Sequence, residues 1–350
     1  MKTIGYAVHD AESKLVPFHF EHRALRANDV AIEILYSGIC HSDLHQAHDD
    51  WGGSLYPMVP GHEIVGRVIE TGADAKRYKV GDIVAVGCMV DSCQTCDQCN
   101  AGEEQFCREG MTPTYNGKDR QTGELTYGGY AKHIVVREEF VLSVPEQLDI
   151  TKAAPILCAG ITTFSPLKHY KVSKGTRVGV AGLGGLGHMA AKLALAMGAE
   201  VTLITHSANK VDAAKKLGAQ QVVVSSDENA MQEAAGSLDL IINTIPVKHD
   251  ATPYLPLLDV NGTMVMVGQI GLLDEPNIAP LILGRRGIVG SLIGGIAETQ
   301  EVLDFCAQHD IHPECELISV DQVNQAFDRL AKGEVSHRIV IDMSSLTVND

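Results

Sequence analysis

The run Arg177-Val178-Gly179-Val180-Ala181-Gly182-Leu183-Gly184-Gly185-Leu186-Gly187 decides how this chain folds. A β-branched segment ends in G-x-G-x-x-G, and the Ala-rich stretch Gly187–Met197 follows. The glycine pattern alone says little. Leaving a strand and opening a helix, it is the phosphate-binding turn of a dinucleotide fold. Gly182 permits the tight turn, Gly184 lets the backbone approach a pyrophosphate, and Gly187 lets helix and strand pack closely. Leu183, Gly185 and Leu186 complete the turn, and the helix N-terminus faces the phosphates.

Outward from that turn, strands alternate with helical stretches. Thr176–Ala181, Glu200–Thr205, Gln221–Ser225, Leu238–Asn243 and Gly262–Val267 read as strands, with a sixth expected at Gly287–Ser291. Gly187–Met197 and Lys210–Leu217 read as helices between the first three. This alternation predicts βαβ units and an α/β, doubly wound parallel sheet of Rossmann type. The second strand runs on into Thr205-His206-Ser207-Ala208-Asn209-Lys210. An acidic residue about twenty positions past the glycine turn binds the ribose hydroxyls of NAD. Thr205 stands in that place, and no carboxylate follows until Asp212. A 2′-phosphate therefore meets no repulsion, and Thr205, His206, Ser207 and Lys210 offer it donors. The cofactor expected is NADP(H).

The first third reads differently. Val30–Tyr36 alternates in part, Gly66–Glu70 runs into a turn at Gly72, and Val80–Val86 is a turn followed by a strand. Short strands with glycine turns predict a β-rich, barrel-like domain. The last sixty residues carry one clear helix, Glu298–Gln308, and a terminal strand at Arg338–Asp342. They are expected to return and complete the first domain. The division expected is 1–155 with 290–350 as one domain and 156–289 as the dinucleotide domain.

At 350 residues the chain exceeds one ordinary core. No apolar run reaches eighteen residues, and Met1–Ala7 reads as a strand rather than a signal peptide, so a cytoplasmic chain without membrane contact is expected. The net charge of −16 is spread along the sequence, which argues against nucleic acid. Nine cysteines in such a chain point to metal or catalysis before disulfides.

Those cysteines fall into two constellations. Cys93, Cys96, Cys99 and Cys107 stand at C-x₂-C-x₂-C-x₇-C, four thiolates that can close around one ion as a structural zinc. An iron–sulfur cluster is the rival, but the last gap is too long for the ferredoxin run and no Pro follows Cys107. Gly38-Ile39-Cys40-His41-Ser42-Asp43-Leu44-His45 and Pro60-Gly61-His62-Glu63 offer a thiolate and an imidazole. A catalytic zinc needs three protein ligands and an open position, and Cys158 is the best third candidate. Cys88, Cys306 and Cys315 are left over and expected to be buried or inert.

Gly61-His62-Glu63-Ile64-Val65-Gly66, the four-cysteine loop and the glycine turn together resemble the medium-chain zinc alcohol dehydrogenases over essentially the whole chain. Cys40–His45, Leu157–Thr162 and Ser291–Gly295 are most similar to the cinnamyl alcohol dehydrogenase group, which includes broad-range aldehyde reductases. Cys₂His is that family's known catalytic set, so Cys40, His62 and Cys158 are matched to it rather than discovered. The resemblance implies a GroES-like catalytic domain, two zinc ions per chain and NADP(H). It implies hydride transfer to or from a small aldehyde or alcohol, in a homodimer or homotetramer.

It also implies residue roles. Ser42 contacts the reacting oxygen and relays a proton through the cofactor ribose to His45, which reaches solvent. Asp43 holds the far nitrogen of His62. Glu63 sits behind the metal, either as a transient ligand or as an electrostatic support. His41 and Arg338 lie near the cofactor pyrophosphate, Thr162 touches the nicotinamide, and Trp51 falls in the loop lining the substrate pocket. Two rival functions remain at this level: a polyol dehydrogenase of the same superfamily, and a cofactor-binding module without turnover. The latter would be expected to have lost a ligand or a relay residue, and none is missing here.

Overall fold

Asp29–Ile39 is an eleven-residue strand whose side chains are buried along almost its whole length. A strand buried on both faces must be flanked by pairing partners and covered above and below. It pairs antiparallel with Ile64–Thr71, His133–Arg137 and Arg338–Asp342. Register shifts at Ala31/Ile32 and Ile34/Tyr36 bend it, as bulges do. The resulting sheet runs Cys315–Ser319, Arg338–Asp342, Asp29–Ile39, Ile64–Thr71, Ile83–Val86, Leu142–Ser143, with His133–Arg137 added beside Asp29–Ile39. Val30, Ile32, Val65, Val68, Val84 and Val86 are fully buried in its core.

This computed structural model describes residues 1–268, 271–335 and 337–347. The chain divides into two units: Met1–Cys158 with the C-terminal stretch from Gly294, and Ala159–Ile293. The sequence reading put these divisions slightly earlier, after 155 and after 289. Among its described residues the second unit holds six parallel strands in the order Gln221–Val224, Glu200–Thr205, Arg177–Ala181, Leu238–Asn243, Leu258–Met266, Gly287–Gly290. In chain order that is 3-2-1-4-5-6, the doubly wound order with its switch point at the glycine-turn strand. Helix Gly185–Ala196 connects the first two strands, and Val211–Lys216 the next pair.

Two expectations need correction. The fifth strand begins at Leu258 rather than Gly262, because Leu258 pairs with Leu238 across a register shift. The C-terminal stretch carries a second helix, Val323–Ala331, besides Ile296–Gln308. Val323, Ala326, Phe327 and Leu330 make its buried stripe at helical spacing. Helix Ala159–His169 also escaped the sequence reading. Pro166 inside it and its near-complete burial erase the amphipathic period. Among the described residues no helix is long and apolar enough to cross a membrane.

Candidate active site

Cys40 stands where strand Asp29–Ile39 gives way to helix His41–Ala47, in extended conformation at the helix N-cap. Its backbone N–H donates to Asp43 Oδ2 at 2.9 Å, so the first helical turn fixes the thiol's direction. Asp43 is fully buried. Its Oδ1 accepts from Gly61 N–H and from His62 Nδ1, each at 3.0 Å. A carboxylate only accepts, so Nδ1 carries the proton and the His62 Nε2 lone pair is left for a ligand.

Cys158 closes the turn Ala154–Leu157 and lies against Cys40, with Sγ to Sγ at 3.9 Å. That is far beyond a disulfide. Two thiolates sharing a tetrahedral zinc at ~2.3 Å would sit ~3.8 Å apart. One donor atom each from Cys40, His62, Glu63 and Cys158 lies within 4.8 Å of the others, and all four residues are buried. Buried thiolates repel one another unless a cation stands between them, so the donor set fits a zinc ion.

Glu63 is fully buried; its Oε1 accepts from the Arg338 guanidinium, while among the described residues Oε2 has no hydrogen-bond partner. Burial pushes its carboxyl up, with Arg338 pulling the other way. The pairing of Arg338 with Glu63 places that cation beneath the donor set, a role the sequence reading did not foresee. Ser42 Oγ lies 3.7 Å from Cys40 Sγ. His45, on the same helix, hydrogen-bonds through Nδ1 to Asp50 Oδ2 at 2.7 Å and is 30% exposed. Its ring lies 5.3 Å from that of Trp51. His41 is half-buried, and burial pushes its imidazole down.

Three neighbours of the site were missed. Asp50 is one. Tyr130, fully buried, donates from its hydroxyl to Asp43 Oδ2 at 3.1 Å, and Tyr115 lies ring to ring with His62 at 5.8 Å. The spacing of Asp50, five residues past His45, was the only available signal. Of the leftover cysteines, Cys306 is buried, but Cys88 and Cys315 are half-buried. Cys88 Sγ lies 3.5 Å from Leu157 O and interacts with the Cys158 thiol.

The four-cysteine loop gathers its sulfurs by local backbone geometry. Cys96 N–H points at Cys93 Sγ, Cys93 N–H at Cys107 Sγ and Arg108 N–H at Cys96 Sγ, at 3.3–3.4 Å. Ser92 Oγ lies 3.2 Å from Cys99 Sγ. Hydrogen bonds from Thr95 and Cys96 pull the Cys93 thiol down to about 6. The four donors lie within 4.8 Å of one another, which fits a closed tetrahedral zinc.

In the second unit the glycine turn has the shape its sequence required. Gly182 has φ +95°, and a Cβ on Gly187 would lie 2.1 Å from Gly182 O. Among the described residues nothing lies within 4 Å of a Cβ on Gly184, the N-cap of the twelve-residue helix, so its backbone is open to a phosphate. Leu183 is buried, while Gly185 and Leu186 are half-buried in the first turn. Thr205 differs from expectation. It is buried, and its Oγ1 accepts from Ser207 N–H at 3.4 Å. It shapes the turn, leaving exposed His206 and Lys210 and half-buried Ser207 as the outward donors. Thr162 is buried in helix Ala159–His169.

Residues 26–146 match the alcohol dehydrogenase GroES-like domain, and residues 185–308 match the zinc-binding dehydrogenase domain. A mannitol dehydrogenase of Petroselinum crispum is 50% identical, over 95% of this chain and 98% of its own. The aldehyde reductase YahK of Escherichia coli is 47% identical, over 99% of this chain and 100% of its own. The solved structure of a cinnamyl alcohol dehydrogenase from Helicobacter pylori, complexed with NADP(H), superposes with a TM-score of 0.92 at 43% identity. That likeness covers 99% of each chain.

Proposed function

This chain belongs to the zinc-dependent alcohol dehydrogenase family, and from that premise we propose that it is an NADP(H)-dependent reductase of aldehydes to primary alcohols. The observation that carries the reading is the buried Cys40–His62–Cys158 donor set, with its thiols 3.9 Å apart and Asp43 holding the imidazole. Those three residues would hold the catalytic zinc, and Cys93, Cys96, Cys99 and Cys107 the structural one. When bound, the catalytic zinc supplies Lewis-acid polarisation of the carbonyl, and NADPH supplies the hydride.

The chain's own residues do the rest. Asp43 keeps His62 in the ligating tautomer. The Arg338 guanidinium, held by Glu63, stands close enough to interact with both the Cys40 and Cys158 sulfurs. Ser42, beside Cys40, is placed to hold a proton at Oγ. His45 keeps its Nδ1 proton on Asp50, so Nε2 is the atom that takes up and releases the proton, at the protein surface. Gly184 and the helix behind it bind the pyrophosphate, and His206, Ser207 and Lys210 bind the 2′-phosphate.

A second reading, a polyol dehydrogenase, is favoured by the likeness to the Petroselinum mannitol dehydrogenase. The test is a panel of aliphatic and aromatic aldehydes, with mannitol and sorbitol in the reverse direction, each run with both nicotinamide cofactors. Faster turnover of the polyols than of any aldehyde–alcohol pair overturns the first reading.

The chain is proposed to work as a homo-oligomer. Leu272, Ile278, Ile282 and Leu283 are exposed in the stretch leading into Gly287–Gly290, which ends the parallel sheet among the described residues. A terminal strand and exposed apolar side chains in the segment before it suit a second copy. Two thiolate sets that must stay reduced suit the cytoplasm.

A further inference from the structure

A buried carboxylate is tolerated only when its lone pairs are occupied, and Asp43 has about four to fill. Cys40 N–H, Gly61 N–H and His62 Nδ1–H occupy three. A further donor is the Tyr130 hydroxyl at 3.1 Å, from a side chain that is itself fully buried, and the buried Tyr115 hydroxyl also reaches this carboxylate. We propose that Tyr130 is a positioning residue for the catalytic zinc, acting through Asp43 on the His62 ligand. The inference rests on the reading of Cys40, His62 and Cys158 as zinc ligands.

The backbone around Tyr130 is built to the same end. Gly128 N–H donates to Val59 O at 2.8 Å, Gly129 N–H to Gly61 O at 2.8 Å, and Tyr130 N–H to Pro60 O at 3.0 Å. Three consecutive residues are thus strapped along the segment that delivers His62. Contact is so close that a Cβ on Gly61, which has φ +105°, would lie 2.7 Å from Gly129 N and 2.8 Å from Tyr130 Cδ1. Tyr6 N–H donates to Tyr130 O at 2.8 Å and ties the strap to the first strand. The strap sets where His62 stands, and the hydroxyl sets which way the Asp43 carboxylate faces. Without the hydroxyl, Oδ2 loses one of its donors, and the Cys40 N–H and the Tyr115 hydroxyl, which also reaches Asp43, hold the carboxylate less firmly toward His62.

Tyr130→Phe removes only the oxygen. Zinc-loaded wild type and variant are titrated with a chelator, and the zinc retained at each site is measured. Cobalt substitution distinguishes the Cys₂His centre from the four-cysteine centre by its visible spectrum. The variant is expected to bind zinc about tenfold more weakly at the catalytic site, with the four-cysteine site unchanged. In a double-mutant cycle, Tyr130→Phe added to Asp43→Asn is expected to cost nothing further. Unchanged catalytic-site affinity, equal losses at both sites, or an additive loss in the cycle each overturn the proposal. A wild-type protein holding zinc only at the four-cysteine site overturns the ligand reading itself. Should Tyr130→Phe not fold, fluorotyrosine placed at position 130, nearly the same in shape but with a more acidic hydroxyl, decides through the cobalt spectrum and zinc affinity: values unchanged from wild type overturn the proposal, and a change confined to the Cys₂His site supports it.

Discussion

His45 and Asp50 set the first expectation. The imidazole is partly exposed, and its Nδ1 is held by a carboxylate 2.7 Å away. A positioned general acid–base contributes typically 10²–10⁴-fold. His45→Ala is expected to lower kcat about 100-fold and to change its pH profile. Asp50→Asn, which frees the wrong tautomer, is expected to cost about tenfold. A His45→Ala enzyme with the wild-type rate and profile would show that the proton leaves by another route. Lys210 carries the second expectation. It is exposed in the turn after strand Glu200–Thr205, where a charge-assisted hydrogen bond is worth roughly 1.5–3 kcal/mol. Lys210→Ala is expected to raise KM for NADPH at least about tenfold and to leave KM for NADH unchanged. Equal effects on both cofactors would remove Lys210 from the 2′-phosphate site. At this scale the proposed donors His206, Ser207 and Lys210 come from the sequence, but the direction of Thr205 does not. Its hydroxyl turns back on Ser207 because the strand end is buried.

The four-cysteine loop bears on more than its own ion. Glu104, between Cys99 and Cys107, accepts from Ile296 N–H at 3.0 Å, at the start of helix Ile296–Gln308. A carboxylate there satisfies an orphan donor and meets the positive end of the helix. Glycine is required at position 295, where a Cβ would lie 1.8 Å from Gly102 O. The loop therefore clamps a helix nearly two hundred residues further along the chain. Glu104→Ala is expected to cost about 1 kcal/mol, read as a fall in denaturant midpoint with unchanged slope. A variant as stable as wild type would mean that water replaces the cap fully. Helix Ile296–Gln308 was legible from its composition. Helix Ala159–His169 was not, since a wholly buried helix with an internal proline shows no polar face to give it a period.

For the whole molecule, the two donor sets predict two equivalents of zinc per chain by metal analysis, with different consequences on loss. Cys96→Ser is expected to lower the thermal midpoint sharply, because a structural site contributes folding free energy directly. Cys158→Ser is expected to abolish turnover while the folded state persists. One equivalent of zinc, or a brown iron-bearing protein, would refute this assignment.

The sequence by itself determined the fold class, the four-cysteine spacing and the glycine turn, because each depends on spacing along the chain, whereas Cys158 was joined to Cys40 and His62 by the family resemblance. A strand–turn–helix around glycines and a C-x₂-C-x₂-C loop close on themselves, so local geometry specifies them. Only the tertiary structure decided what surrounds those donors. Tyr130 reaches Asp43 across 87 residues of sequence and Arg338 reaches Glu63 across 275. No local rule carries such pairs. They follow from which strands pair with Asp29–Ile39 and from the need of each buried charge for partners wherever the sheet brings them.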